Sequence, residues 1–425
     1  MSRRGLLAVC LLLLASCKRP PPADADAGTD AGTATSAVAA DAGTDAGALA
    51  EGPLDAGPHA SLKTPETLPD DAVAEVHPLA VCDAKGGAPL DAARDYYDAG
   101  HYAEALSCAA QAAALEPDLA AAHAERGAAL AALNREPEAQ LAYARALAID
   151  PGDADALLGA AHLYAVQLPS TRERDELGAL YAERGLSQPS TPPELVPSLA
   201  LVAAMAFNDL GQADQALDRA AIVLAREPGN AEAKYEKALA LFELCRFREA
   251  KAAFVSLLKD KDRAAHAHQH LGLLLEREGQ WARAEDHFQK ARALEPKDFP
   301  PPPLPSPDEF KAQVTRALAD LPADMRRDLE GVPVATEEIP SEDDLLANQP
   351  PLSPTILGLF RGPSLQEPCD GSETPCRSVA LYRRNLARAV RTPEELREQI
   401  RVTLLHEIGH LRGEDDEELA ARGLE

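Results

Sequence analysis

The chain has 425 residues and a formal net charge of -27, with 46% apolar residues drawn mostly from alanine and leucine and only 4% aromatic residues. So large an acidic excess excludes a general nucleic-acid binder, which needs a basic face against phosphates, so no nucleic-acid partner is expected. The length suits two or three domains, and the alanine and leucine content favours helices over sheets.

In chain order, Arg3 and Arg4 precede an apolar run from Leu6 to Leu14 that is too short to cross a bilayer as a helix and is patterned like an export signal. The run ends in Leu14-Ala15-Ser16-Cys17, which resembles the lipobox of bacterial lipoproteins. The resemblance implies that residues 1–17 are a signal peptide with its lipobox cysteine, cleaved before Cys17. It also implies acylation of Cys17, and more than one acyl chain there would give a stable membrane anchor. Lys18, rather than Asp, follows the cysteine. The expected location is therefore the bacterial cell envelope, lipid-anchored at the outer membrane and facing the periplasm or the exterior.

Residues 18–79 are built largely from Pro, Ala, Asp, Gly and Thr with no regular apolar spacing, so they are expected to form a disordered acidic tether. Such a tether has an r.m.s. reach of roughly 40 Å. Once Cys10 and Cys17 are set aside, five of the seven cysteines remain. Cys369 and Cys376 flank an Asp-Gly turn signal in EPCDGSETPC, which points to a local disulfide. Cys82 could pair with Cys108, leaving Cys245 free inside a helix, but spacing alone leaves that connectivity open.

Residues 86–298 repeat. Pro117 and Pro151 are 34 residues apart, and Pro228 and Pro296 are separated by twice that interval. Twelve residues before each proline stands an alanine, at Ala105, Ala139, Ala216 and Ala284, the small residue where two packed helices come closest. Gly127 and Gly272 fall in first helices, Tyr143, Phe254 and Phe288 in second helices, and Gly100, Gly211 and Gly279 at turns. This pattern resembles the tetratricopeptide (TPR) family, in about six repeats with an irregular third one. The resemblance implies a curved α-solenoid whose concave groove takes a protein or peptide ligand. Within HAHQH, His266 and His270 share a helical face while His268 turns away, and with no carboxylate beside them they read as helix-surface residues.

The prolines of PPPLPSP end the solenoid, so residues 299–307 read as a linker and 308–425 as a second domain. Whether the two domains touch stays open. Phe310, Val314, Ala317 and Leu321 predict a helix from Asp308 to Leu321. VPVATEEI, TILGLFRG and SVALYRRNL predict short strands, with Tyr382 and Arg383 as ordinary strand surface. TPEELREQIRVTLLHEIGHLRG then opens a helix, with Thr392 as N-cap, Pro393 in the first turn and Glu395 completing a capping box. The order of helix, strands and final helix is α+β. The fold class is thus mainly α, a solenoid followed by a small α+β domain after a disordered tether.

On the final helix His406 and His410 are four residues apart, so both imidazoles project from one face and can share a zinc ion, Zn2+. Glu407, beside the first histidine, is placed to hold and deprotonate a water. Gly413 can take the positive φ that ends a helix, which would let Asp416 return as a third ligand. Asp415, Glu417 and Glu418 stay open for that role. The pattern is HExxHxxGxxD.

Residues 306–425, through PDEFKAQVTRALADLP, ILGLFRGP and EELREQIRVTLLHEIGH, resemble the small bacterial zincin-like metallopeptidase domain, a reduced metzincin-like core. The resemblance implies His406, His410 and Asp416 as zinc ligands and Glu407 as general base. Two departures stand out: Leu411-Arg412 follows His410 where the family commonly has an aromatic residue or a third histidine, and no methionine follows Met325 to make a Met-turn. The expected function is a membrane-anchored zinc metallopeptidase acting on a peptide substrate, with the repeats recruiting protein. The alternative is a non-catalytic TPR lipoprotein scaffold with a degenerate zincin domain.

Overall fold

The structure is a computed structural model that describes residues 81–84, 86–369 and 375–424, so the signal segment, Cys17 and the tether lie outside the described residues. Six helix pairs follow one another. They are α1 (Pro89–Asp98) with α2 (Tyr102–Leu115), α3 (Ala120–Ala132) with α4 (Glu136–Ile149), and α5 (Ala154–His162) with α6 (Arg172–Ser187). Then come α7 (Val196–Asp209) with α8 (Ala213–Arg226), α9 (Ala231–Glu243) with α10 (Phe247–Ser256), and α11 (Ala264–Arg277) with α12 (Trp281–Leu294).

Two local features make these pairs. The turn inside a pair needs a left-handed residue, and Gly100, Gly211 and Gly279 supply it with φ of 77°, 71° and 70°. Asn134 and Cys245 occupy the same place in their repeats, both at φ 56°. In the second and sixth pairs a glycine on the first helix meets an aromatic ring on the second: a Cβ on Gly127 would lie 2.7 Å from Tyr143 Cε1, and one on Gly272 would lie 2.4 Å from Phe288 Cε1. Glycine there lets the helices approach and the ring bury. The third pair is irregular because α5 continues into a π-type turn over Leu163–Gln167, closed by the Leu168 amide on the Leu163 carbonyl at 3.0 Å.

The C-terminal domain opens with α13 (Pro307–Ala319) and α14 (Ala323–Asp328), followed by β1 (Val334–Glu337) and α15 (Glu342–Leu346). Next are β2 (Gly358–Arg361), β3 (Ser378–Tyr382), α16 (Arg383–Arg388), α17 (Pro393–Arg412) and α18 (Asp416–Ala421). The sheet order is β1-β3-β2, with β1 parallel to β3 and β2 antiparallel to it. Strand β3 alternates between two buried faces. Val379 and Leu381 pack with Phe310, Ile400, Leu404 and Ile408 from α13 and α17, while Ala380 and Tyr382 pack with Leu345, Ile356 and Cys245.

This placement corrects four sequence readings. Tyr382 is fully buried rather than strand surface, because both faces of the central strand are covered. Arg383 is also buried, paired with Glu338, and it belongs to α16 because the strand stops at Tyr382. Cys245 lies in the left-handed turn between α9 and α10, not inside a helix, and its side chain packs against the C-terminal domain. His266 and His270 are not surface residues but half-buried among Tyr235, Phe254 and Phe299. Burial holds both imidazoles at a pKa of about 4.

The two domains touch. Glu276 on α11, 3% exposed, accepts from Arg384 Nη1 at 2.9 Å and from Arg388 Nη2 at 2.6 Å and 2.5 Å. Arg384 also lies over the Trp281 ring and Arg388 over Phe288. Among the described residues, disulfides join Cys82 to Cys108 and Cys369 to Cys376, leaving Cys245 free and buried. Among the described residues no helix is long and apolar enough to cross a membrane.

Candidate metal centre

Helix α17 begins at Thr392, whose hydroxyl accepts from the Glu395 amide at 3.1 Å while Glu395 reaches back to the Thr392 amide. Leu396, Ile400, Leu404 and Ile408 anchor one face of the helix in the core. That leaves His406, Glu407 and His410 on its last two turns. Gly413 ends the helix at φ 92° and turns the chain back.

The return is made possible by a second glycine, Gly409, that no sequence motif singled out. A Cβ on Gly409 would lie 2.2 Å from Leu419 Cδ2, so only glycine lets α18 pack this closely against α17. Asp416 at the start of α18 then presents Oδ1 at 3.3 Å from His410 Nε2 and 3.6 Å from His406 Nε2. The three ligand atoms all lie within 4.8 Å of one another. The neighbouring acids are placed otherwise. Asp415 caps α18, accepting from the Glu418 amide at 2.9 Å, and Glu418 accepts from the Asp415 amide at 3.1 Å. Glu417 is exposed.

The donor chemistry fits a cation. His406 Nδ1 stands 2.6 Å from the Leu424 carbonyl, and His410 Nδ1 stands 3.0 Å from the Glu414 carbonyl. A carbonyl only accepts, so each Nδ1 carries the proton and each Nε2 presents a lone pair. Those two Nε2 atoms face each other at 2.9 Å with the Asp416 carboxylate beside them. Three acceptors converge with no hydrogen between them, an arrangement relieved by a metal ion or by an added proton. The Leu424 and Glu414 carbonyls are also contributions that sequence reasoning missed, since backbone atoms leave no residue-type signature.

Burial lowers the His406 pKa. At His410 burial acts in the same direction, but the Asp416 carboxylate and the Glu407 charge outweigh it, so that pKa is raised. Complete burial pushes Glu407 up to about 7 even though the Phe360 amide donates to it. Glu407 sits against β2, where a Cβ on Gly358 would be 2.7 Å from Glu407 Oε1. Its carboxyl is thus held between a strand edge and the histidine pair, and it titrates near neutrality.

A family model described as zincin-like metallopeptidase matches residues 329–424. Tetratricopeptide repeat models match residues 265–298, and residues 90–154 with 201–244. No curated protein matches the chain. Among solved structures, YrrB, described as a TPR protein with an unusual peptide-binding site, is 18% identical over 45% of this chain and 94% of its own, with a TM-score of 0.38. PilW, described as a widely conserved type IV pilus biogenesis factor, is 20% identical over 49% and 93%, with a TM-score of 0.40. The Pseudomonas aeruginosa protein pilF is 17% identical over 53% and 96%, with a TM-score of 0.42.

Proposed function

We propose that this chain, which carries tetratricopeptide repeats and a C-terminal zincin-like metallopeptidase domain, is a zinc-dependent peptidase that uses its repeats to bind protein. The observation that carries this reading is the convergence of His406, His410 and Asp416 beside a buried Glu407. A decayed site would lose one of these groups first, and here all four are placed. Zinc, when bound, supplies a Lewis acid for the scissile carbonyl and acidifies a water.

The chain's own groups do the rest. His406 and His410 are locked in orientation by the Leu424 and Glu414 carbonyls, so their Nε2 atoms hold their aim without reorganising. Glu407, with a pKa near 7, takes a proton from the attacking water and returns it to the departing amine. Packing of Glu407 against β2 at Gly358 and Phe360 keeps bulk water from that carboxyl.

We infer further that the protein is exported and held at the bacterial cell envelope by lipid on Cys17. Two disulfides, Cys82–Cys108 and Cys369–Cys376, support an oxidising compartment. The test is zinc content and peptide hydrolysis of the full chain against His406→Ala and Glu407→Gln. One zinc per chain, lost in His406→Ala, with hydrolysis lost in Glu407→Gln while zinc stays, supports the peptidase. Stoichiometric zinc with no cleavage of an unstructured peptide library favours the non-catalytic scaffold. Cys17→Ser is expected to move the protein from the membrane fraction to the soluble fraction.

A further inference from the structure

The six repeats do not all present a free inner face. Phe299 lies against His266 with ring centroids 5.1 Å apart, and Arg384 and Arg388 reach Glu276, so the chain's own linker and α16 cover α11. The corresponding helices of the first four pairs, α1, α3, α5 and α7, instead line an open groove of about 720 Å³. That volume lies within the range of about 300–1,000 Å³ common to ligand sites. Each helix contributes one face, as Ser198, Leu201, Val202 and Met205 do on α7.

The groove combines two chemistries. Leu158, Val166, Leu201, Val202 and Met205 give it an apolar stretch. Val166 and Gln167 belong to the π-type turn at Leu163–Gln167, a departure from regular helix of a kind that recurs at functional sites. The charged part is acidic: Asp98, Glu125, Asp155 and Glu232 line it against Arg94 and His162. Arg94 donates to Glu125 from Nε at 2.8 Å, and Glu232 accepts from Arg263 Nε at 2.8 Å. Asp98 and Asp155, both exposed, therefore carry the excess of negative charge.

A buried hydroxyl stands at the wall of the same groove. Tyr143 is 4% exposed, and its ring fills slots left by two glycines: a Cβ on Gly127 would meet Cε1 at 2.7 Å, and one on Gly159 would meet the hydroxyl oxygen at 2.5 Å. Gly159 itself lines the groove. Among the described residues the hydroxyl has no hydrogen-bond partner, yet it is not closed to solvent. Buried tyrosine hydroxyls usually find a partner, so this one is left for something the groove takes in. A metal ion does not answer to it. Among the described residues only His406, His410 and Asp416 gather three ligand atoms closely enough to hold one, so the carboxylates here are spread for a larger, organic cation.

We propose that this groove binds an extended peptide segment that carries a lysine or arginine between apolar residues. Asp155 and Gly159 are one turn apart on the same face of α5, so one cationic group reaches both the Asp155 carboxylate and the Tyr143 hydroxyl above Gly159. Asp98 and Glu125 add to the attraction, and the apolar side chains lie on Leu158, Leu201 and Met205. This rests on the reading that the repeats bind protein and names the chemistry of the partner. It draws on no residue of the metal centre.

The full chain carrying Glu407→Gln, so that no probe is cleaved on the peptidase reading, is titrated by calorimetry. The probes are the end-blocked heptapeptide Ala-Ala-Leu-Lys-Leu-Ala-Ala and its counterparts with norleucine or glutamate in place of lysine. Saturable binding of the lysine peptide, at least tenfold tighter than the norleucine peptide and weakening as salt is raised, supports the proposal. Asp155→Asn, an exposed change that leaves the repeat core alone, and Tyr143→Phe, which removes the hydroxyl, should each weaken the lysine peptide about fivefold to tenfold and leave the norleucine peptide unchanged. Equal binding of all three peptides, or unchanged binding in both variants, overturns the proposal while leaving protein binding by the repeats standing. No binding of any probe at millimolar concentration overturns the proposal and counts against that reading of the repeats as well.

Discussion

The Nε2 atoms of His406 and His410 lie 2.9 Å apart, each ring held from behind by a backbone carbonyl, those of Leu424 and Glu414. The second carbonyl comes from the turn after α17 and the first from Leu424, three residues past the end of α18. The last dozen residues of the chain therefore build the centre rather than merely trailing from it.

The third side-chain position separates Asp416 from its neighbours. On the proposed reading Asp416→Ala removes one of three protein ligands and is expected to lower zinc affinity by two orders of magnitude or more. Asp415→Ala instead removes the N-cap of α18, costing about 1 kcal/mol of stability, and should leave zinc affinity within severalfold of wild type. A competition titration with a chromogenic chelator measures both. Equal losses in the two variants would sink the assignment of Asp416.

Close packing of α18 on α17 depends on Gly409. With a Cβ at that position only 2.2 Å from Leu419 Cδ2, Gly409→Ala should push α18 outward and displace Asp416. Zinc affinity should drop about 10–100-fold, as when groups that orient ligands are lost. Adding Leu419→Ala removes the collision and should restore a large part of that loss. Absence of any rescue in the double variant would show that the glycine acts by another route.

Domain docking rests on Glu276. Its removal in Glu276→Ala leaves Arg384 and Arg388 without their shared carboxylate in a buried seam, and the expected cost is about 3–5 kcal/mol. Urea unfolding followed at Trp281 measures it, and loss of Arg384 from the ring should shift the emission of the folded state as well. A variant as stable as wild type would mean that the apolar contacts around Cys245 and Tyr382 hold the seam alone.

Acid sensitivity should map to the half-buried histidines. An unfolded histidine titrates near 6.5, and His266 and His270 titrate at about 4 in the fold. Between those values the unfolded chain binds more protons, so their contribution to stability is full above pH 6.5 and is lost as pH falls towards 4. Glu243 acts in the opposite sense. Burial pushes it up to about 7 from 4.5, so the folded chain holds the proton, and its contribution declines as pH rises from 4.5 through 7. Urea midpoints across pH 4–8 should show a shallower acid limb in His270→Phe, which keeps the stacking on Phe254, and a flatter neutral limb in Glu243→Gln. Unaltered slopes in both variants would contradict these assignments.

Period and punctuation made the repeats legible in advance. The 34-residue spacing of Pro117 and Pro151, the alanines twelve residues upstream and the turn glycines are local requirements of helix pairs, which sequence displays directly. The capping box at Thr392 and Glu395, the i,i+4 histidines and the turn at Gly413 were legible for the same reason, because a helix converts fixed spacing into a shared face. What surrounds each element was not local. Tyr382 reads as strand surface until two domains cover both faces of β3. Cys245 reads as a helix residue until the left-handed turn and its seam are seen, and His270 as a surface group until Phe254 stacks on it. Selection of Asp416 over Asp415, the carbonyls behind the two histidines and the contact between the domains depend on how α18 and α16 pack, and packing joins residues far apart in the chain. The sequence by itself determined which residues could share a metal; the tertiary structure decided which of them meet, because close packing of α18 against Gly409 sets those distances.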